Sequence, residues 1–237
     1  PQGRGHLTGA HPGAVCRPGW ARKLWYRKGR EAKATALIEC LRDTRQPYFL
    51  FPLQLDSDAQ IRLHSPFVGM AEAIKTVIAS FAEHAPPDSR LVVKEHPLDN
   101  GVRDWELITT DMSERYQVAD RVDYLPAGDI VPVARWSKGM VTVNSTSGTL
   151  GLSLGIPAIV LGSAVYDMAG ITAQGGLDAF WQDPTPPDPE TFRAFQRVLV
   201  DRCLIPGGFF SDEALEMVVQ HAIDRFARRT WVDQTHA

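Results

Sequence analysis

Cysteine is scarce. Cys16, Cys40 and Cys203 are the only three, with no CxxC and no Cys/His ligand spacing. An odd, scattered set of this kind argues against a disulfide scaffold and against structural zinc, and favours a reducing, cytoplasmic setting. Long apolar runs are missing too. The richest stretch, 139–162, is broken by Asn144, Ser145, Thr146, Ser147 and several glycines, so it falls short of the roughly 18 uninterrupted residues that a membrane-crossing helix needs. PQGRGHLTGA has neither an initiator Met nor the basic-then-apolar order of a signal peptide. The chain therefore reads as a fragment whose natural N-terminal part is missing. Neither sign of charge dominates: 25 Lys+Arg against 28 Asp+Glu give −3 over 237 residues, 44% of them hydrophobic and 22% charged. That composition is near the soluble globular average and excludes collagen-like, low-complexity and wholly disordered chains, while the length allows one large domain or two small ones.

The near-neutral total hides an asymmetry. Residues 1–45 carry ten Lys/Arg and three Asp/Glu, net +7, which leaves −10 for residues 46–237. A folded part of net −10 with no basic patch interleaved with aromatics is no nucleic-acid binder. The chain accordingly divides into 1–45, a basic leader and linker that is partly disordered, and 46–237, the folded domain with its C-terminal helices. The first 20 residues, rich in Gly, Pro and His without periodicity, read as a mobile leader. The following segment is helical at its end, where Ala36, Leu37, Cys40 and Leu41 share a face. It reads as a solvated linker, with attraction to anionic lipid headgroups or a polyanionic product as the sharper alternative.

Beyond residue 46 short β-rich runs recur: YFLFPL (48–53), RLVVKEH (90–96), RVDYL (121–125), MVTVNS (140–145) and AIVLG (158–162). Between the first two, Phe67, Ala71, Ile74, Ile78 and Phe81 repeat at helical spacing behind Ser65 as N-cap and Pro66 at the first helical position. Further helices are expected over 104–119, over 130–136, from near Gly148, over 190–201 and over 212–229. Strand–helix alternation of this kind predicts an α/β fold with a doubly wound, Rossmann-like parallel sheet.

Ligands of such sheets bind at the carboxyl ends of the strands, so three strand exits carry the functional reading. In Asn144-Ser145-Thr146-Ser147-Gly148, small hydroxyl residues ahead of a helix either expose N–H groups to a phosphate or serve only as an N-cap and a close-packing glycine. The segment lacks the Lys of a Walker loop and the spacing of GxGxxG. Lys94 and His96, two apart, point to the same side if the strand continues through them, and Pro97 then ends the ladder. They meet one anion or are structural. Gln54-Leu-Asp56-Ser-Asp58 reads as Asx turns, as a metal-binding DxD, or as a carboxylate acting on a sugar. A calcium loop is excluded, because Ile61 and Phe67 stand where its glycine and bidentate glutamate belong.

FPLQLDSDAQIRLHSPF, KEHP, VNSTSGTLGLSLGIPAIVLG, AVYDMAGIT and GGLDAFW, in this order over roughly residues 46–210, resemble the bacterial capsule polysaccharide biosynthesis and export proteins of the KpsS/KpsC type, more closely the KpsS branch. The resemblance implies the C-terminal, nucleotide-binding half of a GT-B-like retaining β-Kdo glycosyltransferase. The donor would be CMP-β-Kdo, and the acceptor a lysophosphatidylglycerol or phosphatidylglycerol-type lipid on which the poly-Kdo linker starts. It also implies a place at the cytoplasmic face of the inner membrane beside other capsule assembly and export proteins. Its His-Pro motif falls on His96 and Pro97, and its Ser/Thr motif on Ser145 and Thr146, both gripping the cytidine monophosphate. Its acid falls on Asp58, preferred over Asp56 as nucleophile. Gln54, Lys94, Asn144, Ser147 and Gly148 complete the expected donor site, with His64, Tyr166 and Gln174 as possible sugar or loop contacts. Neither a metal nor a cofactor is required. Arg62 is left open between a functional and a surface charge. The rival readings are a nucleotide-sugar epimerase on a similar fold and a non-catalytic component of polysaccharide export.

Overall fold

The computed structural model describes residues 18–234, and side chains over 28–227; the expected leader lies outside the described residues. Five strands, β1 (Tyr48–Pro52), β2 (Arg90–Lys94), β3 (Val122–Leu125), β4 (Gly139–Thr142) and β5 (Ala158–Val160), form one sheet in the order β3-β2-β1-β4-β5. Every neighbouring pair is parallel. The helices are α1 (Pro18–Thr44), α2 (Ala59–Leu63), α3 (Met70–His84), α4 (Trp105–Arg115), α5 (Ile130–Arg135), α6 (Ser147–Ser153), α7 (Leu177–Phe180), α8 (Pro189–Arg202) and α9 (Asp212–Gln234).

Alternate strand residues separate to the two faces, as the two-residue period of a strand requires. Phe49, Phe51, Leu91, Val93, Val141 and Val143 join α3, α4 and Trp181 in one core. Tyr48, Leu50, Val92 and Met140 pack with α1 and α5 in the other. The sheet is thus covered on both sides, and its strands read as near-continuous apolar runs. In α3 the fully buried positions Met70, Ala73, Ile74, Val77, Ile78 and Phe81 form one helical stripe; each large one contributes roughly 1.5–3 kcal/mol by leaving water.

Two local expectations give way to tertiary contacts. The helix expected to open at Ser65-Pro66 begins at Met70, because the Asp56 carboxylate, 14 residues upstream, accepts the Met70 N–H at 2.8 Å and supplies the cap from a distance. Ser65 instead donates to the Ile61 carbonyl and accepts from Phe67 N–H. The end of α1 is no solvated linker: Ala34 and Leu41 are buried against the sheet, with Leu37 and Ile38 packed beside them. The packed face is therefore Ala34, Leu37, Ile38 and Leu41 rather than the one through Ala36 and Cys40, both of which are exposed.

Candidate active site at the strand-exit crevice

The chain runs outward from β1 to β2 and β3, then returns to place β4 on the other side of β1. The crevice beyond the carboxyl ends of β1 and β4 is the switch point at which open parallel sheets bind ligands. The exits of β1, β2 and β4 all open there.

The floor of this crevice is a closed hydrogen-bond hub. Gln54 is buried and clasps Asn144 twice: its Nε2 donates to Asn144 Oδ1 at 2.9 Å, and its Oε1 accepts from Asn144 N at 3.1 Å. Asn144 Nδ2 then donates to the carbonyls of Gln60 at 2.8 Å and His64 at 3.1 Å. The His64 carbonyl also accepts from Ser163 N at 2.7 Å. One pair of amides therefore ties the β1 exit, α2 and the exits of β4 and β5 into a single frame, as buried polar groups demand. Tyr166 lies beneath the β4 exit with its hydroxyl donating to the Ser145 carbonyl, and burial pushes that phenol well above its usual pKa. A Cβ on Gly148 would overlap the Tyr166 hydroxyl, so only glycine lets the loop rest on the phenol.

The rim is less fully engaged. Asp56 and Asp58 diverge. Asp56 holds Met70 N–H with one oxygen and faces Arg103 Nε at 3.4 Å with the other. Asp58 caps α2 through a single bond from Gln60 N–H at 2.9 Å and stays half-buried at the crevice. His96 accepts Leu98 N–H at Nδ1, 3.1 Å away, which leaves Nε2 as the donor of the neutral ring. Partial burial holds that imidazole below its ordinary pKa and Lys94 adds to the effect, while Asp99 and Asp58 pull the other way. The Lys94 side chain is almost wholly buried, and its ammonium reaches just the Glu95 carbonyl, at 3.3 Å; burial lowers its pKa against the pull of Glu95 and Asp129. Among the described residues such a cation has no counter-ion in contact, a costly state that an arriving anion relieves.

The hydroxyl loop differs from the expected cradle of free amides. Ser145 N–H is taken by Thr142 Oγ1, Ser147 N–H by Ser145 Oγ and Gly148 N–H by the Ser145 carbonyl. Thr146 N–H, on an exposed residue, has no partner among the described residues. A phosphate would meet hydroxyls there more than backbone. Of the other expected contacts, Pro97 is exposed just after His96 and the His64 ring is exposed, its backbone alone serving the hub. Gln174 is turned onto Thr172 and Asp167 of its own loop. Tyr166, expected at the sugar or on a mobile loop, is instead a buried support.

Beside the crevice the β1 exit, α2 and the β2–α4 loop enclose a cleft lined by Asp56, Arg62, Asp99, Val102 and Arg103. It continues into a larger one of about 790 Å³ reaching Phe67, Val68 and Glu72. Sequence reasoning missed Arg103, which sits in no motif; its proximity to Asp56 arises only when the β2–α4 loop folds over the β1 exit. It also missed Glu95, which pairs with Arg30 of α1 and accepts from Tyr124, tethering the KEHP segment from behind. Strand alternation would have separated Glu95 from Lys94 and His96. Among the described residues no group of three or more His, Cys, Asp or Glu is arranged to hold a metal, and no helix is long and apolar enough to cross a membrane.

The model of the capsule polysaccharide biosynthesis protein family matches residues 6–210. Capsule polysaccharide modification protein LipB of Neisseria meningitidis serogroup A is 41% identical over 165 residues, 69% of this chain and 39% of that protein. Capsule polysaccharide export protein KpsS of Escherichia coli is 34% identical over 182 residues, 76% of this chain and 47% of that protein. The chain therefore spans less than half the length of these relatives. Thermosulfurimonas dismutans KpsC, a β-Kdo 2,7 transferase of solved structure, is 20% identical, with 68% of this chain and 47% of that chain covered at a TM-score of 0.43.

Proposed function

This chain belongs to the capsule polysaccharide biosynthesis protein family, and from that membership we propose that it is the C-terminal, nucleotide-sugar-binding half of a GT-B-like retaining β-Kdo glycosyltransferase. It takes CMP-β-Kdo and starts the poly-Kdo linker on a phosphatidylglycerol-type lipid. The observation that carries this reading is the Gln54–Asn144 hub, which fixes the β1 exit and α2, where Asp58 sits, against the hydroxyl loop at the switch-point crevice.

Chemically the scheme is a double displacement. The Asp58 carboxylate attacks the anomeric carbon of Kdo as the bond to the CMP oxygen breaks, and the leaving phosphate carries away the electron pair. Lys94, the Nε2–H of His96 and the hydroxyls of Ser145, Thr146 and Ser147 neutralise that phosphate. An acceptor hydroxyl then displaces Asp58, giving up its proton, and the two inversions sum to retention. The donor is the only small molecule needed besides the acceptor. Asp56, bound to Met70 N–H and facing Arg103, is the less free of the two acids. The protein works at the cytoplasmic face of the inner membrane, peripherally, beside other capsule assembly and export proteins.

The test is turnover by the full-length protein with CMP-Kdo and lysophosphatidylglycerol. Release of CMP with Kdo transferred to the lipid is the expected product pattern; isomerised free sugar would mean an epimerase. The export name borne by KpsS favours one second reading, a component of export without turnover. On that reading Asp58→Ala leaves capsule formation intact, whereas the transferase loses it.

A further inference from the structure

Three carboxylates and two guanidiniums line the cleft between the β1 exit, α2 and the β2–α4 loop, and their bonding leaves one of them over. Asp56 is held by Met70 N–H and faces Arg103. Asp99 accepts from Gly101 N–H at 2.8 Å and from Trp105 Nε1 at 2.8 Å. Glu72 accepts from Val68 N–H at 2.8 Å. Arg103 lies over the Trp105 ring, 5.8 Å from its centroid, beside the cleft. Arg62 lines both parts of the cleft, yet its guanidinium makes no hydrogen bond or ion pair with any described residue. Each acid keeps its charge but already accepts from an internal donor, whereas a guanidinium with five N–H groups faces the space without a partner among the described residues. The same space is edged by two aliphatic side chains left in water, Val68 at 89% and Val102 at 82% exposure.

An uncommitted guanidinium lining the same space as Arg103 suits a phosphate monoester or diester, which arginine grips through two parallel bonds. Exposed Val68 and Val102 at the mouths suit an alkyl or glycerol chain entering with it. Arg62 stands one helical turn beyond Asp58, whose carbonyl accepts its N–H at 3.4 Å. We propose that the Arg62–Arg103 cleft is a second anion subsite that takes the phosphate headgroup of an amphiphilic acceptor, separate from the donor-phosphate side at Lys94, His96 and Ser145. This assignment rests on the transferase reading for its purpose, though not for its chemistry. The headgroup phosphate anchors the acceptor so that a hydroxyl on the same molecule reaches the carbon attached to Asp58.

The test uses the full-length protein and three probes: dodecyl phosphate, inorganic phosphate and dodecyl maltoside. Dodecyl phosphate is expected to bind, inorganic phosphate to compete with it more weakly, and dodecyl maltoside not to compete. Arg62→Ala should weaken dodecyl phosphate by about 10- to 100-fold, with Arg62→Lys between the two and the thermal midpoint unchanged, since Arg62 supports no internal bond. In turnover the same variant should raise the acceptor KM and leave the donor KM alone. Equal affinity of wild type and the Arg62→Ala/Arg103→Ala double variant for dodecyl phosphate overturns the proposal, as does equal binding of the maltoside, which would make the site a mere apolar surface. Arg62-dependent binding in a protein that fails to turn over CMP-Kdo would sink the transferase reading and leave the subsite standing.

Discussion

The floor and the rim of the crevice use the same kinds of residue to opposite ends. On the floor, Gln54 and Asn144 satisfy each other and three neighbouring backbone groups, and the Tyr166 hydroxyl is committed to Ser145. On the rim, the Asp58 carboxylate makes one bond, the His96 ring one, and the Lys94 ammonium one long one among the described residues. Polar residues at strand ends thus fall into those whose capacity is consumed in holding loops together and those whose capacity remains for a ligand. A floor residue should fail by unfolding, and a rim residue by losing chemistry while the fold survives.

The sharpest way to break this division is to substitute the two aspartates. Asp58→Ala should lower turnover by about 10³-fold or more while donor binding, read by calorimetry with CMP, stays within a few fold. Asp56→Ala should instead cost about 1 kcal/mol of stability through the lost cap on α3, seen as a lower denaturant midpoint with most turnover kept. The reverse pattern would exchange their roles.

On the floor, Gln54→Leu strands the Asn144 N–H and side-chain oxygen in a buried site. A loss of about 2–4 kcal/mol in chemical denaturation is expected. If stability is unchanged while donor affinity falls, Gln54 belongs on the rim. Gly148→Ala should cost about 1–3 kcal/mol because its methyl must displace the Tyr166 phenol, whereas the same change at Gly29, which faces open space, should be neutral or slightly stabilising.

The smallest effect concerns pH. Burial lowers the Lys94 pKa below 10.5, so raising the pH through that lowered value removes the proton that neutralises the donor phosphate. Donor Kd should rise on the alkaline side in the wild type. In Lys94→Met it should be raised by about tenfold already at neutral pH and show no such alkaline limb. An identical limb in the variant would assign it to another group.

Much of the fold was legible because it depends on local pattern. All five β-rich runs became strands in a doubly wound sheet, since buried parallel strands advertise themselves as short apolar runs between turn signals. The helices at 105, 130 and 212 start within a residue of expectation. What escaped depends on partners distant in sequence. Asp56 moved the start of α3 by four residues, and α1 found a sheet to pack on through Ala34 and Leu41. Of the expected donor site, Asp58, His96 and the Ser145 loop follow three strands that are neighbours in the sheet. The roles of Gln54, Asn144, Gly148 and Tyr166 could not be separated from binding in advance, because a strand-end amide or phenol looks the same whether its partner is a ligand or a loop 90 residues away. Arg62 stays open between a functional and a surface charge on sequence alone, and Arg103 carries no signal at all: the cleft that joins them exists only in three dimensions.

The most direct measurement is intact-mass and peptide mass spectrometry of the full-length protein quenched during turnover of CMP-Kdo. The account predicts a Kdo adduct on the peptide containing Asp58, absent in Asp58→Ala. Transfer that proceeds without any adduct there, or an adduct found on Asp56, would contradict it.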